Sequence, residues 1–513
     1  MGGLRALLFI AAIGLFPAIA RAAPVRTDAG LLDGVPLGEV VVYKGVPFAA
    51  PPVGELRWRA PQPVIPWDGV RKADVFGPGC TQPLPPASSP GRGGSYSEDC
   101  LYLNVWRPAK ARAPLPVMVW FYGGGFSGGS AAWDLFDGAA LARHGVMVVT
   151  VNYRLGVLGF LAHPELTRES GRGASGNYGL MDAIAALRWI RRNASAMGAD
   201  PARVTVFGQS AGAMLISDLL VSPDARGLIS GAIGESSGLF APTDSRAPGD
   251  SASLAAAQKN GADFAASLGA TTLAQLRSLP PEKFLPSPFW ARPIVDGWIV
   301  PVSPSEAFAA GKQADVPMLL GNNAQEANFP TLQPPAHTKD FEAFLTSQFG
   351  PFGPRLVKAY PFTTDEDAWQ AKVDFITDLA YRWQIWSWAR LQARTGKAPV
   401  FYYQFEQPEP LKDKALGRRF GTPHGSEELF VFQNERLPEW GWTASDRTLA
   451  DQMARYWTNF ARTGDPNGPG LPRWPRFSDD RRKVMRLRTV PVAGELPGWS
   501  RLELIDEMIN HFR

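Results

Sequence analysis

The residue of this chain best suited to covalent chemistry is the serine of Gly208-Gln209-Ser210-Ala211-Gly212. A β-branched run, Arg203 to Phe207, leads into it, and an apolar, helix-compatible run, Ala213 to Val221, leads away. Strand, tight turn and helix in that order would expose the hydroxyl at the carboxyl edge of a sheet, above a helix N-terminus. Glycines on both sides lack a Cβ, so strand and helix can approach closely while the serine holds a strained backbone. By itself the pentapeptide also suits an ordinary strand–turn–helix, so its partners must be sought elsewhere in the chain.

A serine nucleophile needs a base, a group that orients the base, and donors for the oxyanion formed in acyl transfer. The histidines are His144, His163, His337, His424 and His511. His144 falls in an amphipathic helical pattern, His511 in a terminal helix, and His163 directly before a proline. His424 lies in the loop Phe420-Gly421-Thr422-Pro423-His424-Gly425, beyond a strand expected to end near Phe405, where α/β proteins place working residues. Leu320-Gly321-Asn322-Asn323-Ala324-Gln325-Glu326 sets a carboxylate in a loop just after another strand. Such a carboxylate can accept the imidazole Nδ1 proton and fix the tautomer, although local sequence alone favours a surface residue at Glu326. Gly123-Gly124-Gly125 follows an apolar strand upstream of the serine, so successive backbone N–H groups can turn toward one point, with the N–H of Ala211 as a third donor. A phosphate-binding reading of these glycines lacks the Gly-Lys-Ser/Thr continuation.

Alternating elements position these groups. Strands are expected at Glu39–Gly45, over the second half of Glu98–Val105, and at Pro116–Tyr122, Val146–Asn152, Arg203–Phe207, Ala232–Ile233, Met318–Leu320, Val400–Phe405 and Val484–Leu487. The nearly continuous apolar runs among them suit strands covered on both faces. Helices are expected around Asp137–His144, over Leu180–Met197 with apolar residues on one face, after the serine, and over Leu502–Phe512. The pattern predicts an α/β fold with a mainly parallel central sheet. No linker-like break divides it, so residues 23–513 read as a single domain with large insertions.

The bulk properties exclude several classes. Fifty-two basic against 48 acidic residues give a net charge of only +4, and the basic residues form no long runs with interleaved aromatics, so no nucleic-acid partner is expected. Arg5, an apolar run from Leu4 to Ala20 and the small-x-small Ala20-Arg21-Ala22 read as a cleaved export leader over residues 1–22, with a retained N-terminal anchor as the alternative. Export implies a secreted or periplasmic protein with no stable membrane span after cleavage. The two cysteines, Cys80 and Cys100, then suggest one disulfide closing a Pro/Gly/Ser-rich loop, worth about 3 kcal/mol, rather than a metal site. Two buried free thiols are the alternative.

Motifs along almost the whole chain resemble the type-B carboxylesterase family, the carboxylesterase/cholinesterase branch of the α/β-hydrolases. They include Tyr43-Lys44-Gly45-Val46-Pro47-Phe48-Ala49, Leu56-Arg57-Trp58, Glu98-Asp99-Cys100-Leu101-Tyr102-Leu103-Asn104, Tyr122 to Phe126 and Asn152-Tyr153-Arg154-Leu155-Gly156. Further along are Asn177 to Asp182, the serine pentapeptide, Pro293-Ile294-Val295-Asp296-Gly297, His424-Gly425 and Trp457-Thr458-Asn459-Phe460-Ala461. The resemblance implies an α/β-hydrolase fold and a bacterial-type secreted enzyme needing no cofactor or metal. It implies Ser210 as nucleophile, Glu326 as acid, His424 as base, and Gly124, Gly125 and Ala211 as oxyanion donors. It further implies a Cys80–Cys100 disulfide, structural ion pairs Arg57–Glu98 and Arg154–Asp182, and Ser236 as a support for the acid.

The departures from the family pattern bear on substrate. Gln209 stands where an acidic residue usually precedes the serine, and no tryptophan lies between Cys80 and Cys100, where cholinesterases carry the aromatic that meets a quaternary ammonium. Ala327 stands where glycine usually follows the acid. The expected function is hydrolysis of small-molecule carboxylic esters through an acyl-enzyme, with uncharged or anionic esters preferred to choline esters. The alternatives are a lipase or an esterase for bulky or polymeric esters, and a silent binding or adhesion domain on the same fold. Phe289, Trp290, Phe375, Trp383, Trp386 and Trp388 are candidates for the site entrance or, more simply, for the core.

Overall fold

The computed structural model describes residues 23–84, 94–111, 113–285, 287, 289, 291–328, 337–435 and 440–512. The expected leader, residues 1–22, and Trp290 lie outside the described residues.

Eleven strands form one sheet. In chain order they are β1 (Val35–Leu37), β2 (Val40–Pro47), β3 (Tyr102–Pro108), β4 (Leu115–Phe121), β5 (Met147–Val151), β6 (Ala199–Gln209), β7 (Gly231–Glu235), β8 (Met318–Asn323), β9 (Val400–Phe405), β10 (Lys483–Leu487) and β11 (Val492–Glu495). Their spatial order is β11-β10-β9-β8-β7-β6-β4-β5-β3-β2-β1. Pairing is parallel from β10 across to β5 and antiparallel at both margins. Every residue of β4, β5, β7, β8 and β9 is buried, as a parallel sheet with helices on both faces requires.

The register sets the carboxyl ends side by side. Phe121 pairs with Gly208, Gln209 with Glu235, Glu235 with Gly321, and Asn323 with Phe405. The loops after β4, β6, β7, β8 and β9 therefore open on one edge, which is where open α/β sheets hold ligands. Helices α1 (Tyr178–Asn193), α2 (Ala211–Leu219), α3 (Ser426–Val431) and α4 (Ala444–Thr463) surround that edge and the sheet behind it. α4 begins at a Thr443–Asp446 capping box and ends at Gly464, whose φ of 73° suits a glycine.

The sequence-derived strands fall where expected, with ends shifted by a few residues. The helix expected over Leu180–Met197 begins earlier, at Tyr178, and stops at Asn193, before a tighter turn at Ser195–Met197. The helix expected around Asp137–His144 is the shorter Ala139–Arg143. The region between β8 and β9 folds into helices Thr338–Gln348, Gly353–Ala359, Asp365–Ile376 and Trp383–Thr395, the last two joined by a π-helical turn at Thr377–Arg382. No helix among the described residues is long and apolar enough to cross a membrane.

Cys80 and Cys100 are joined in a disulfide. Both implied ion pairs form bidentately in buried surroundings. Arg57 Nε lies 2.7 Å from Glu98 Oε1, and Arg154 Nε and Nη2 lie 2.8 and 2.7 Å from the two Asp182 oxygens. Fork-to-fork geometry gives these pairs directional strength that a lysine could not supply.

Candidate active site

Ser210 sits at the end of β6 with φ 55° and ψ −122°, far from the ordinary regions for a residue with a side chain. Its N–H donates to the Glu235 carbonyl at 2.8 Å, and its own carbonyl accepts from Met214 N at 3.0 Å, the first turn of α2. Two glycines make the turn sterically possible. A Cβ on Gly212 would lie 1.9 Å from the Phe121 carbonyl oxygen, and one on Gly208 2.6 Å from the same atom. The end of β4 therefore presses directly on the turn and leaves Ser210 half-buried at the sheet edge.

Beyond Phe121 the chain enters Gly123-Gly124-Gly125. A Cβ on Gly123 would lie 3.0 Å from Ser210 Cβ, so the loop passes directly over the serine. Gly124 (φ 105°) and Gly125 (φ 60°) take backbone conformations closed to most residues. The Gly124 carbonyl accepts from Ser127 N and Gly128 N, both at 3.1 Å, which fixes the turn. Gly124 and Gly125 are exposed, and among the described residues neither N–H donates to a backbone carbonyl. Ala211 begins α2, where the leading N–H groups have no partner within the helix.

His424 and Glu326 meet from loops 98 residues apart in sequence: His424 Nδ1 lies 2.8 Å from Glu326 Oε2. The two backbones are also tied, His424 N donating to the Glu326 carbonyl at 3.1 Å. Glu326 is wholly buried, and its other oxygen accepts from Asn323 N at 2.6 Å. Ala327, in place of the family's glycine, keeps a negative φ and donates its N–H to Thr377 Oγ1 at 3.1 Å, so the backbone here does not need glycine's freedom. A carboxylate fixed on Nδ1 leaves Nε2 as the basic nitrogen of the ring.

Several participants are not visible in local sequence. The Gln209 amide nitrogen lies 3.1 Å from His424 Nε2 and 3.3 Å from Nδ1, and the Tyr381 ring stands 4.6 Å from the imidazole. Burial, reinforced by the Glu326 charge, pushes the Tyr381 phenol up to about 12. Ser236 Oγ donates at 3.0 Å to Glu427 Oε1, and no bond from it to Glu326 is seen, so the serine supports a second carboxyl beside the acid. Glu427 is fully buried, and Asn323 Nδ2 donates to its Oε2. Burial and then the neighbouring Glu326 charge push the Glu427 carboxyl up to about 7. Glu235, also fully buried and bonded to Trp457 Nε1 at 2.8 Å, is raised well above the carboxylate range by burial and by Glu427. Only the His-Gly-x-Glu spacing at 424–427 could have drawn attention to this pair.

Of the aromatic candidates, Phe375, Trp383, Trp386 and Trp388 are core. Phe289 packs edge-on against Phe264 and lines a cavity of about 380 Å³ with Phe160 and Ile294. Among the described residues no group of three or more His, Cys, Asp or Glu side chains is placed to hold a metal ion.

The family model described as the carboxylesterase family matches residues 21–497. The fumonisin B1 esterase of Sphingopyxis macrogoltabida is 39% identical over 491 residues, covering 92% of this chain and 87% of the relative. The para-nitrobenzyl esterase of Bacillus subtilis (strain 168) is 35% identical over 486 residues, covering 90% and 94%. A solved thermophilic PNB esterase superimposes with a TM-score of 0.81 at 32% identity, over 94% of this chain and 99% of that one. With the parallel sheet and the strained strand–turn–helix at Ser210 already described, these likenesses establish an α/β-hydrolase fold. The chain belongs to the carboxylesterase family and is a carboxylic-ester hydrolase.

Proposed function

We propose that Ser210, Glu326 and His424 are the catalytic triad and that Gly124, Gly125 and Ala211 form the oxyanion hole. The observation that carries this reading is the 2.8 Å contact between His424 Nδ1 and the buried Glu326 carboxylate, at the sheet edge that also holds the strained Ser210. His424 Nε2 takes the Ser210 proton as Oγ attacks the ester carbonyl. The tetrahedral oxyanion rests on the three backbone N–H groups, and His424 then protonates the departing alcohol. Water, deprotonated by the same imidazole, releases the acid from the acyl-enzyme.

Uncharged or anionic esters are the preferred substrates in this reading. The residue preceding the nucleophile, Gln209, is a neutral amide rather than a carboxylate, so that position offers a cationic alcohol no counter-charge. The expected order is a larger kcat/KM for 3,3-dimethylbutyl acetate than for its cationic isostere acetylcholine. The relative named as a fumonisin B1 esterase supports testing fumonisin B1 alongside simple esters. Ser210→Ala should lower hydrolysis of p-nitrophenyl acetate by about 10⁴-fold or more while leaving the circular-dichroism spectrum unchanged. Near-wild-type turnover in that variant would remove the mechanism. Export is part of the same proposal: the leader-like residues 1–22 and the Cys80–Cys100 disulfide support an oxidising compartment, and the mature chain is expected to start at Ala23 on N-terminal sequencing.

A further inference from the structure

The loop after β4 doubles back on itself. A Cβ on Gly129 would lie 2.2 Å from the Tyr122 ring and 2.9 Å from the Gly123 carbonyl oxygen, and one on Gly124 would lie 2.1 Å from the Gly128 carbonyl oxygen, so the outgoing and returning limbs touch. Gly124 and Gly125 at its tip are exposed, so their placement depends on how the limbs are fixed below them. One tie is backbone to backbone, Gly156 N donating to the Phe126 carbonyl at 2.7 Å. The other is a side chain, Gln82, which is 5% exposed. Its Nε2 donates to the Gly129 carbonyl at 2.7 Å, and its Oε1 accepts from Gly129 N at 2.8 Å. The second Nε2 proton goes to the Cys80 carbonyl at 3.0 Å. These partners fix the orientation of the amide, because exchanging its O and N would set an oxygen against two carbonyls and a donor against a donor. Gly129 is buried, so loss of the amide would strand its N–H and C=O away from water. On the other limb, a Cβ on Gly123 would lie 3.0 Å from Ser210 Cβ, so a slackened loop base shifts the backbone directly above the nucleophile.

We propose that Gln82 is a positioning residue for the oxyanion hole: its amide, anchored on the Cys80 carbonyl, locks the base of the 123–129 loop so that the Gly124 and Gly125 N–H groups are aimed before the substrate arrives. This rests on Gly124, Gly125 and Ala211 forming the hole, and goes beyond it by assigning a part to a side chain outside the triad and the donor set. Donors fixed in advance stabilise the oxyanion without reorganising at the moment of reaction. The demand on their placement is greatest in the transition state, so a loosened loop costs kcat and spares KM. The anchor is the backbone carbonyl of Cys80 and not its sulfur, so the part played by Gln82 is separate from that of the disulfide.

The test uses the full-length protein with Gln82→Met, which keeps the length of the side chain without donor or acceptor, and Gln82→Asn, which keeps the amide on a stem one methylene too short. Circular dichroism checks that each variant folds, and Gln82→Asn carries the test if the methionine variant does not. With an uncharged p-nitrophenyl ester, kcat should fall about 10-fold or more while KM stays within about twofold of the parent. An alkyl trifluoromethyl ketone reads the hole directly: Ser210 Oγ adds to its carbonyl carbon, the proton passes to His424, and the carbonyl oxygen becomes an oxyanion. Its affinity should fall by the same factor as kcat/KM, whereas the alcohol of the same chain length, which forms no oxyanion, should bind as it does to the parent. Equal losses for ketone and alcohol would overturn the inference, being the mark of a general loosening of the site. Gly124→Ala in the same assays separates this inference from the assignment of the hole. A kcat loss in Gly124→Ala beside parent-like Gln82 variants would overturn the part given to Gln82 alone, and parent-like kinetics in Gly124→Ala would remove the hole assignment and this inference with it.

Discussion

Replacing Glu427 by glutamine should stabilise the protein at alkaline pH and leave it nearly unchanged at acid pH. The carboxyl is fully buried, accepts from Asn323 Nδ2 at one oxygen, and contacts Ser236 Oγ at the other. Its affinity for a proton is raised from the ordinary 4.5 to about 7, first by burial and then by Glu326. In the unfolded chain the group titrates near 4.5, so between these values the folded form binds the proton that the unfolded form releases. The stabilisation is complete below about 4.5 and is lost as pH rises through about 7, with a total of about 3 kcal/mol. Glutamine fits the protonated state, its carbonyl oxygen toward Asn323 Nδ2 and its amide donating to Ser236 Oγ. Urea unfolding of wild type and Glu427→Gln at about pH 5 and about pH 8.5 reads the difference. Similar stability at the lower pH and an advantage of about 3 kcal/mol for the glutamine variant at the higher pH are expected. Equal differences at both pH values, or a more stable wild type at the higher pH, would refute the account of this buried carboxyl.

Other perturbations test the surrounding parts. Gly124→Ala would force a Cβ to within 2.1 Å of the Gly128 carbonyl at a φ of 105°, and the displaced oxyanion loop should lower kcat by about 10²-fold or more with a smaller effect on KM. Glu326→Gln should keep the fold but lower kcat by about 10³- to 10⁴-fold, because an amide can present its own N–H to Nδ1 and favour the wrong tautomer; steady-state kinetics check this. The double variant Cys80→Ser, Cys100→Ser frees a loop with a sequence separation of 20 residues and should lose about 3 kcal/mol in denaturant unfolding, with kcat retained.

What was legible in the sequence follows from the range of the interactions involved. The apolar runs at 116–122, 203–207 and 400–405 announced strands because a parallel sheet buried on both faces needs uninterrupted hydrophobic side chains. The two glycines around Ser210 announced the tight turn because nothing larger fits against Phe121. The long helices between β8 and β9 were not legible, since their apolar faces are completed by one another and by the turn between them, with Phe341 packing against the tilted ring of Phe362 and edge-on against Phe375. Ser236 was read as a support for Glu326, yet its hydroxyl turns to Glu427, a difference that only the packing of α3 behind the acid decides. Glu427 itself, in Ser426-Glu427-Glu428, has the composition of a solvated helix face and is instead fully buried. The contact of Gln209 with His424 joins positions 215 apart and has no local signature.

The central claim is that Ser210 carries the acyl group. Treatment of the purified protein with a fluorophosphonate ester, followed by peptide mass spectrometry, reads the nucleophile directly. One adduct per chain on the peptide containing Ser210, lost in Ser210→Ala and slowed in His424→Gln, is the predicted result. Stoichiometric labelling of a different residue, or full esterase activity in protein that takes no label, would contradict the account.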